Sequence, residues 1–253
     1  MLLTPYVFPS IDSTVPDMIL EKRSMHIRDV DINVQITGSG VPLLWGHGLM
    51  SSMEAESDFD WLQWHTPPEN IRLIRYDARG HGKSQISLTP EDYHWQNLGR
   101  DMLALADAVG ETQFIAAGAS MGCATAIYAA LQAPERIKSL ILVIPPTIWE
   151  TRATQGQLYR RTATLGGMLG GDKLATLMGR NLARSMPAWM VESVPGVVER
   201  AARKMRAMHR QALWNLFRGA GRGLPDSCAA TKSCASLGRN CFALCRRRVL
   251  EFF

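Results

Sequence analysis

The sequence has no long apolar run. Runs such as Leu140–Ile144 fall far short of the roughly 18 residues that a membrane-crossing helix needs. No secretory leader is expected either, because Met1–Leu20 has no basic start and is broken by Pro5, Pro9 and Pro16. A cytoplasmic setting is therefore the expectation. Cysteine is scarce in the body of the chain. Cys123 stands alone there, and Cys228, Cys234, Cys241 and Cys245 all fall near the end. Their spacing does not match the paired C-x2-C clusters of structural zinc sites, so no metal is expected. Without export there is little reason for a disulfide framework either.

An excess of one charge sign is missing too, once the end of the chain is set aside. The formal net charge is +5. Much of it comes from Cys228–Phe253, where Lys232, Arg239, Arg246, Arg247 and Arg248 face Glu251 alone. The body is close to neutral, and no nucleic-acid partner is expected, because a binding face should spread over a folded surface. The 253 residues, 46% hydrophobic and 20% charged, suit one large or two small globular domains.

From Ser24 to Ile144 the chain alternates between strand-like and helix-like segments. Ser24–Arg28 and Ile32–Ile36 read as an antiparallel hairpin. Pro42–Trp45, Ile71–Tyr76, Phe114–Ala117 and Leu140–Ile144 read as short apolar strands, the kind found where helices cover both faces of a parallel sheet. Tyr93–Val109 carries apolar residues three and four apart and stops at Gly110, while the alanine-rich Met121–Gln132 stops before Pro134. This alternation predicts an α/β fold with a mostly parallel central sheet and flanking helices. Beyond Thr151 the pattern turns helical. Leu158–Leu182 is interrupted by glycine pairs, and Pro195–Arg218 reads as one long amphipathic helix with Ser193 as its N-cap. The expected division is a core over 1–150, a helical lid over 151–218 and an aberrant Cys/Arg-rich tail over 219–253 with neither strand nor helix pattern.

Three glycine-rich loops follow three of the strands. Gly118-Ala119-Ser120-Met121-Gly122 fits G-x-S-x-G between a strand and a helix, the context in which a serine is held above a sheet edge on a tight turn. Gly46-His47-Gly48-Leu49 follows Pro42–Trp45. There a backbone N–H can meet a substrate oxygen together with the N–H of the residue after the serine. The candidate donors are Leu49 and Met121, and His47 reads as a brace for the loop. Asp77-Ala78-Arg79-Gly80-His81-Gly82-Lys83-Ser84 follows Ile71–Tyr76 and reads as loop architecture.

These three motifs, in this order, resemble the α/β-hydrolase superfamily, and Ala133–Val143 is similar to its approach to the next strand. The spacing is similar to that of esterase-like and enol-lactonase-like members. The resemblance implies a serine hydrolase with Ser120 as nucleophile, acting on a carboxylic ester or lactone without metal or organic cofactor. Met168, Leu169, Leu177, Met178, Met186, Trp189, Met190 and Trp214 in the lid suggest an apolar small-molecule substrate. The resemblance also implies an acid after a strand and a histidine near the end of the chain, because a serine hydroxyl needs a base to become nucleophilic.

Neither residue is found. The only histidine after Ser120 is His209, which reads as a satisfied residue of the amphipathic helix. Asp226 precedes any possible strand, and Glu150, an alternative acid, has no histidine to orient. The triad acid and histidine are thus unassigned. The tail reads as the product of a shifted frame or a truncated gene, with C-terminal strands missing and an open sheet edge left behind. Activity would then be impaired, and a non-catalytic ligand-binding chain or an inactive fragment is the alternative.

Overall fold

A computed structural model describes residues 20–59, 62, 64, 66–146, 150–186, 188–221, 241–245 and 248–251. An eight-stranded sheet forms its centre. The strands are β1 (Leu20–Ile27), β2 (Val30–Thr37), β3 (Val41–Gly46), β4 (Ile71–Tyr76), β5 (Phe114–Ala119), β6 (Ile137–Val143), β7 (Cys241–Cys245) and β8 (Arg248–Glu251). They lie in the order β1-β2-β4-β3-β5-β6-β7-β8. β1 and β2 form an antiparallel hairpin, and β2 pairs antiparallel with β4. From β4 to β7 every pairing is parallel. This is the expected α/β class, with the hairpin turn tightened to Arg28–Asp29 and Arg28 at φ 59°.

The tail departs from expectation at its backbone. β7 pairs in parallel with β6, and β8 folds back on β7 as an antiparallel hairpin. The edge of β6 is therefore covered rather than open, and the reading of this segment as strandless is corrected. Two strands of five and four residues, joined at Arg246–Arg247, are too short for alternation to stand out from a cysteine- and arginine-rich background. Asp226 lies outside the described residues.

Two helices pack on the sheet: α2 (Trp95–Ala108) and α3 (Met121–Gln132), after the short α1 (Met53–Phe59). Their apolar stripes meet the sheet through Leu98, Met102, Leu105, Phe114 and Ala116, all buried. Above the carboxyl ends of the strands sits a helical block: α4 (Glu150–Leu169), α5 (Gly171–Leu182), α6 (Ala188–Ser193), α7 (Val197–Ala207) and α8 (Arg210–Ala220). It has its own core, in which Leu174, Met205, Leu213 and Phe217 are buried together. Among the described residues no helix is long and apolar enough to cross a membrane.

The block differs in detail from the sequence reading. α4 runs straight through Gly166–Gly167, because these glycines are where neighbours press closest: a Cβ on Gly167 would sit 2.9 Å from the Trp214 ring. The break comes at Gly170, with φ +80°. The long helix over 195–218 is two helices. Met208 leaves the helical region with ψ 136°, and His209 caps the next helix, its ring accepting from the Gln211 N–H. Gly196, not Ser193, caps α7. The buried Asn215 fastens α8 to the core by donating to the Ser87 carbonyl at 3.1 Å.

A buried ion cluster ties the β4 loop to the sheet edge and α2. Arg79 donates to Asp101 from Nε at 2.6 Å and from Nη2 at 2.8 Å, and to Asp29 at 2.9 Å. Arg28 donates to the same Asp101 at 2.7 Å. Burial opposes the charge on Arg79, but Asp101 and Asp29 outweigh it and hold the guanidinium protonated. Removing one partner of such a pair strands the other charge. Asp101→Asn should therefore lower unfolding stability by about 3–5 kcal/mol, read from urea denaturation of the parent and variant chains.

Candidate active site

The site begins with three glycines that let two strands and a helix meet. Gly46 on β3 lies opposite Gly118 on β5, and Gly122 opens the first turn of α3 against both. A Cβ on Gly122 would fall 1.9 Å from the Gly46 carbonyl oxygen, and one on Gly118 would fall 2.5 Å from the Gly122 carbonyl carbon. No side chain fits at either place. The chain turns from β5 into α3 within this contact, and Ser120 occupies the turn at φ 51°, ψ −108°. For a residue with a side chain this conformation is strained by about 1–3 kcal/mol.

Neighbouring strands hold the turn. The Ser120 N–H donates to the Val143 carbonyl at 3.0 Å. The Cys123 thiol donates to the same carbonyl at 3.1 Å and to the Gly118 carbonyl at 3.0 Å. Cys123 is fully buried, and burial pushes its thiol well above the usual range. It thus serves the turn as a neutral donor, a role its place in the motif gave no hint of.

Ser120 faces a cavity of about 910 Å³ between the loops at the carboxyl ends of the strands and the helical block. Leu49, His81 and Ser120 line it from the core, and Tyr159, Lys204 and Phe217 from the helices. Three non-glycine residues with positive φ line it as well: Met50 at 64°, Ser120 at 51° and Ile144 at 47°. Strain of this kind gathers where surrounding structure fixes a functional geometry. Of the apolar lid residues, Met178 and Met186 line the cavity. Met168 and Leu177 are corrected, since they are 69% and 57% exposed.

Of the expected amide donors, Met121 directly follows this serine, and Leu49 follows Gly48, on which a Cβ would lie 3.7 Å from the Ser120 Cβ. Neither the Leu49 nor the Met121 N–H has an acceptor among the described residues. Leu49 is gripped on both sides by histidines. His47 Nδ1–H donates to the Gly48 carbonyl at 2.8 Å, and its Nε2 accepts from the Ala78 N–H at 2.9 Å. His81 Nε2 accepts from the Met50 N–H at 3.3 Å, and its Nδ1–H donates to the Arg79 carbonyl at 3.0 Å. The two loops are cross-braced, each by a histidine of its own. Asp77 adds to the frame, accepting from the Met53 and Lys83 amides and from Asn33.

Each bracing imidazole uses both ring nitrogens, so neither can relay a proton for Ser120 without breaking the brace. Burial holds His47 down at about 4 and His81 well below the usual imidazole value. His209, exposed, caps α8 through its Nδ1 and also lines the cavity. Glu150 is the first residue of α4, and its side chain lies outside the described residues. Among the described residues no group of histidine, cysteine, aspartate or glutamate could hold a metal ion.

A mostly parallel sheet with flanking helices, and a strained serine between β5 and α3, define the class. Residues 41–222 match the alpha/beta hydrolase fold family, and the chain belongs to it. It is similar to RutD of Azorhizobium caulinodans, named as a carbamate hydrolase, with 31% identity over 47% of this chain and 42% of that one. It is 39% identical to 3-oxoadipate enol-lactonase 2 of Acinetobacter baylyi over 28% of this chain and 26% of that one. The matches thus span less than half the length of these curated relatives. Among solved structures, a thermophilic esterase from Thermogutta terrifontis superposes with a TM-score of 0.64 at 21% identity, covering 82% of this chain and 74% of that one.

Two outcomes follow from the geometry. Glycine adopts the Ser120 backbone conformation without penalty, so Ser120→Gly should raise unfolding stability by about 1 kcal/mol, measured from the shift of the urea midpoint. The second concerns pH. Between the ordinary imidazole value of 6.5 and about 4, the unfolded chain binds protons on His47 and His81 that the folded chain refuses. Glu56 works in the opposite sense, because burial pushes its carboxyl from 4.5 up to about 7. Two imidazoles against one carboxyl leave one proton net. Stability is therefore retained above pH 6.5 and lost at about 1.4 kcal/mol per pH unit on acidification toward 4.5. Urea unfolding at pH 6.5 and 5.0 checks this, with a drop of about 2 kcal/mol expected.

Proposed function

We propose that the chain is a serine hydrolase acting on a carboxylic ester or lactone of largely apolar character. Ser120 is the nucleophile, the Leu49 and Met121 amides receive the oxyanion, and helices α4–α8 act as the lid. One observation carries the reading: the strained Ser120 turn opens onto a cavity beside two amides that have no acceptor among the described residues. In the reaction the Ser120 Oγ bonds to the substrate carbonyl carbon while its proton is removed. The oxygen that becomes negative is met by the two N–H groups and by the N-terminus of α3. Collapse breaks the carbon–oxygen bond to the leaving group, which takes up a proton. Water then releases the acid and restores the serine. The proposal keeps the cytoplasmic setting of the sequence reading.

Base catalysis is the weak step. His47 and His81 are committed to the loop brace and His209 to the cap of α8, so proton removal falls to solvent bases and turnover is impaired. General-base assistance is typically worth 10²–10⁴ in rate, and its lack should leave a deficit of that order. The same commitment favours the second reading, a non-catalytic ligand-binding chain on this scaffold.

A fluorophosphonate probe separates the two. Covalent labelling at a single site, abolished by Ser120→Ala and accelerated about tenfold or more by added imidazole, is the expected result. A folded chain that stays unlabelled with imidazole present would overturn the hydrolase reading in favour of ligand binding.

A further inference from the structure

The wall that α7 gives to the cavity is basic. Arg200, Arg203 and Lys204 are three and four residues apart on one helix face, and all three line the cavity. Lys204 is tied to the core floor. Its Nζ donates to the Oγ of Ser52 at 2.8 Å, across 152 residues of sequence. Ser52 is itself buried and caps α1, accepting from the Ala55 N–H at 3.1 Å.

An ammonium carries three donors. Ser52 takes one, and among the described residues no carboxylate forms an ion pair with Lys204. Carboxylates do face it: Glu54, Glu56 and Asp58 line the same cavity, and with Asp77 they favour its charge. Asp77 holds the loop amides and Asn33, and Glu56 accepts from the Trp45 indole and pairs with Arg75 at 3.7 Å. Glu54 and Asp58 on α1 are exposed. None of the four meets the ammonium directly, so two of its donors stay open to the cavity. Burial lowers Lys204 to about 8, which leaves it mostly protonated at neutral pH.

Lys204 and Ser120 line the same cavity. Gly48 packs on Ser120, and Ser52 follows four residues later through a turn closed by the Ser51 N–H and the Gly48 carbonyl at 3.0 Å. Four Cα steps of about 3.8 Å keep Gly48 and Ser52 within about 15 Å of each other.

We propose that Lys204, with the basic face of α7 beside it, is an anion-recognition subsite, and that the substrate carries a carboxylate a few bonds from the carbonyl attacked by Ser120. This rests on the hydrolase reading and narrows its substrate class to anionic esters or lactones. The same cavity is lined by Met178, Met186 and Phe217, which suits a carboxylate carried on a carbon skeleton.

Calorimetric titration of the Ser120→Ala chain with hexanoate and with methyl hexanoate tests the subsite apart from the chemistry. Hexanoate should bind about tenfold more tightly or better. Lys204→Gln, in a chain that melts like its parent, should erase the preference, and Lys204→Arg should keep part of it. Lys204→Met, which keeps the aliphatic stem, serves if the glutamine chain does not fold. Equal binding of the two probes, no binding of either, or a preference that survives loss of the ammonium would overturn the proposal. Fluorophosphonate labelling of Ser120 does not depend on this charge, so failure here leaves the nucleophile reading standing, and the reverse also holds.

Discussion

The contact among Gly46, Gly118 and Gly122 is the constraint on which the rest depends. Backbone meets backbone there, with no room for a methyl group at Gly118 or Gly122. Because β3, β5 and α3 converge so closely, the connection between strand and helix has to reverse within one residue. Ser120 absorbs the reversal as an unfavourable φ/ψ pair. The free energy for that strain comes from ordinary sheet pairing and core burial around it, where Ala116, Ala117, Cys123 and Ala124 are fully buried. The small side chains of α3 are part of the same solution. An alanine-rich helix can approach a sheet closely enough to hold the turn shut.

Around this contact the molecule uses polar groups as structure where the sequence alone could suggest chemistry. His47, His81, Asp77 and Arg79 all have side chains capable of catalysis, yet each is spent on the frame. The two histidines are complementary: each accepts an amide N–H from the opposite loop at Nε2 and donates to a carbonyl of its own loop at Nδ1. A neutral imidazole, with one donor and one acceptor nitrogen, can do both in a dry site. The segment between the two attachment points contains Leu49, whose amide is left without an acceptor. Fixing the neighbours of a donor costs nothing at the moment of reaction, which is why preorganised amides stabilise developing charge well.

Much of this was legible in the sequence, for a physical reason. The strands β3 to β6 and helices α2 and α3 are marked by apolar runs that end in glycine or proline, and the loops after β3, β4 and β5 carry their own turn residues. Local signals suffice where local sterics decide. What stayed hidden depends on partners far apart in the chain. The brace joins residues 31 positions apart, and Cys123 reaches Val143 across the next strand connection. The break between α7 and α8 was masked because the apolar stripe continues through Met208, while the interruption comes from a histidine acting as a cap. β7 and β8 were hidden by brevity. Lys204 was hidden because a lysine on an amphipathic helix looks like part of a solvated face, and only packing shows that this one is turned inward.

Two polar ties between the helical block and the core bear on how the cavity is built. Asn215 secures α8 near Tyr93, away from the serine, through a buried side chain that has a partner at each end: it donates to Ser87 and accepts from Gln211. Lys204 joins α7 to the floor of the cavity through one hydroxyl. The first tie is neutral and buried. The second is charged, and its strength depends on what else occupies the cavity. A carboxylate bound under the proposed reading would take up ammonium donors that Ser52 leaves open, and so would add to the link between the two layers.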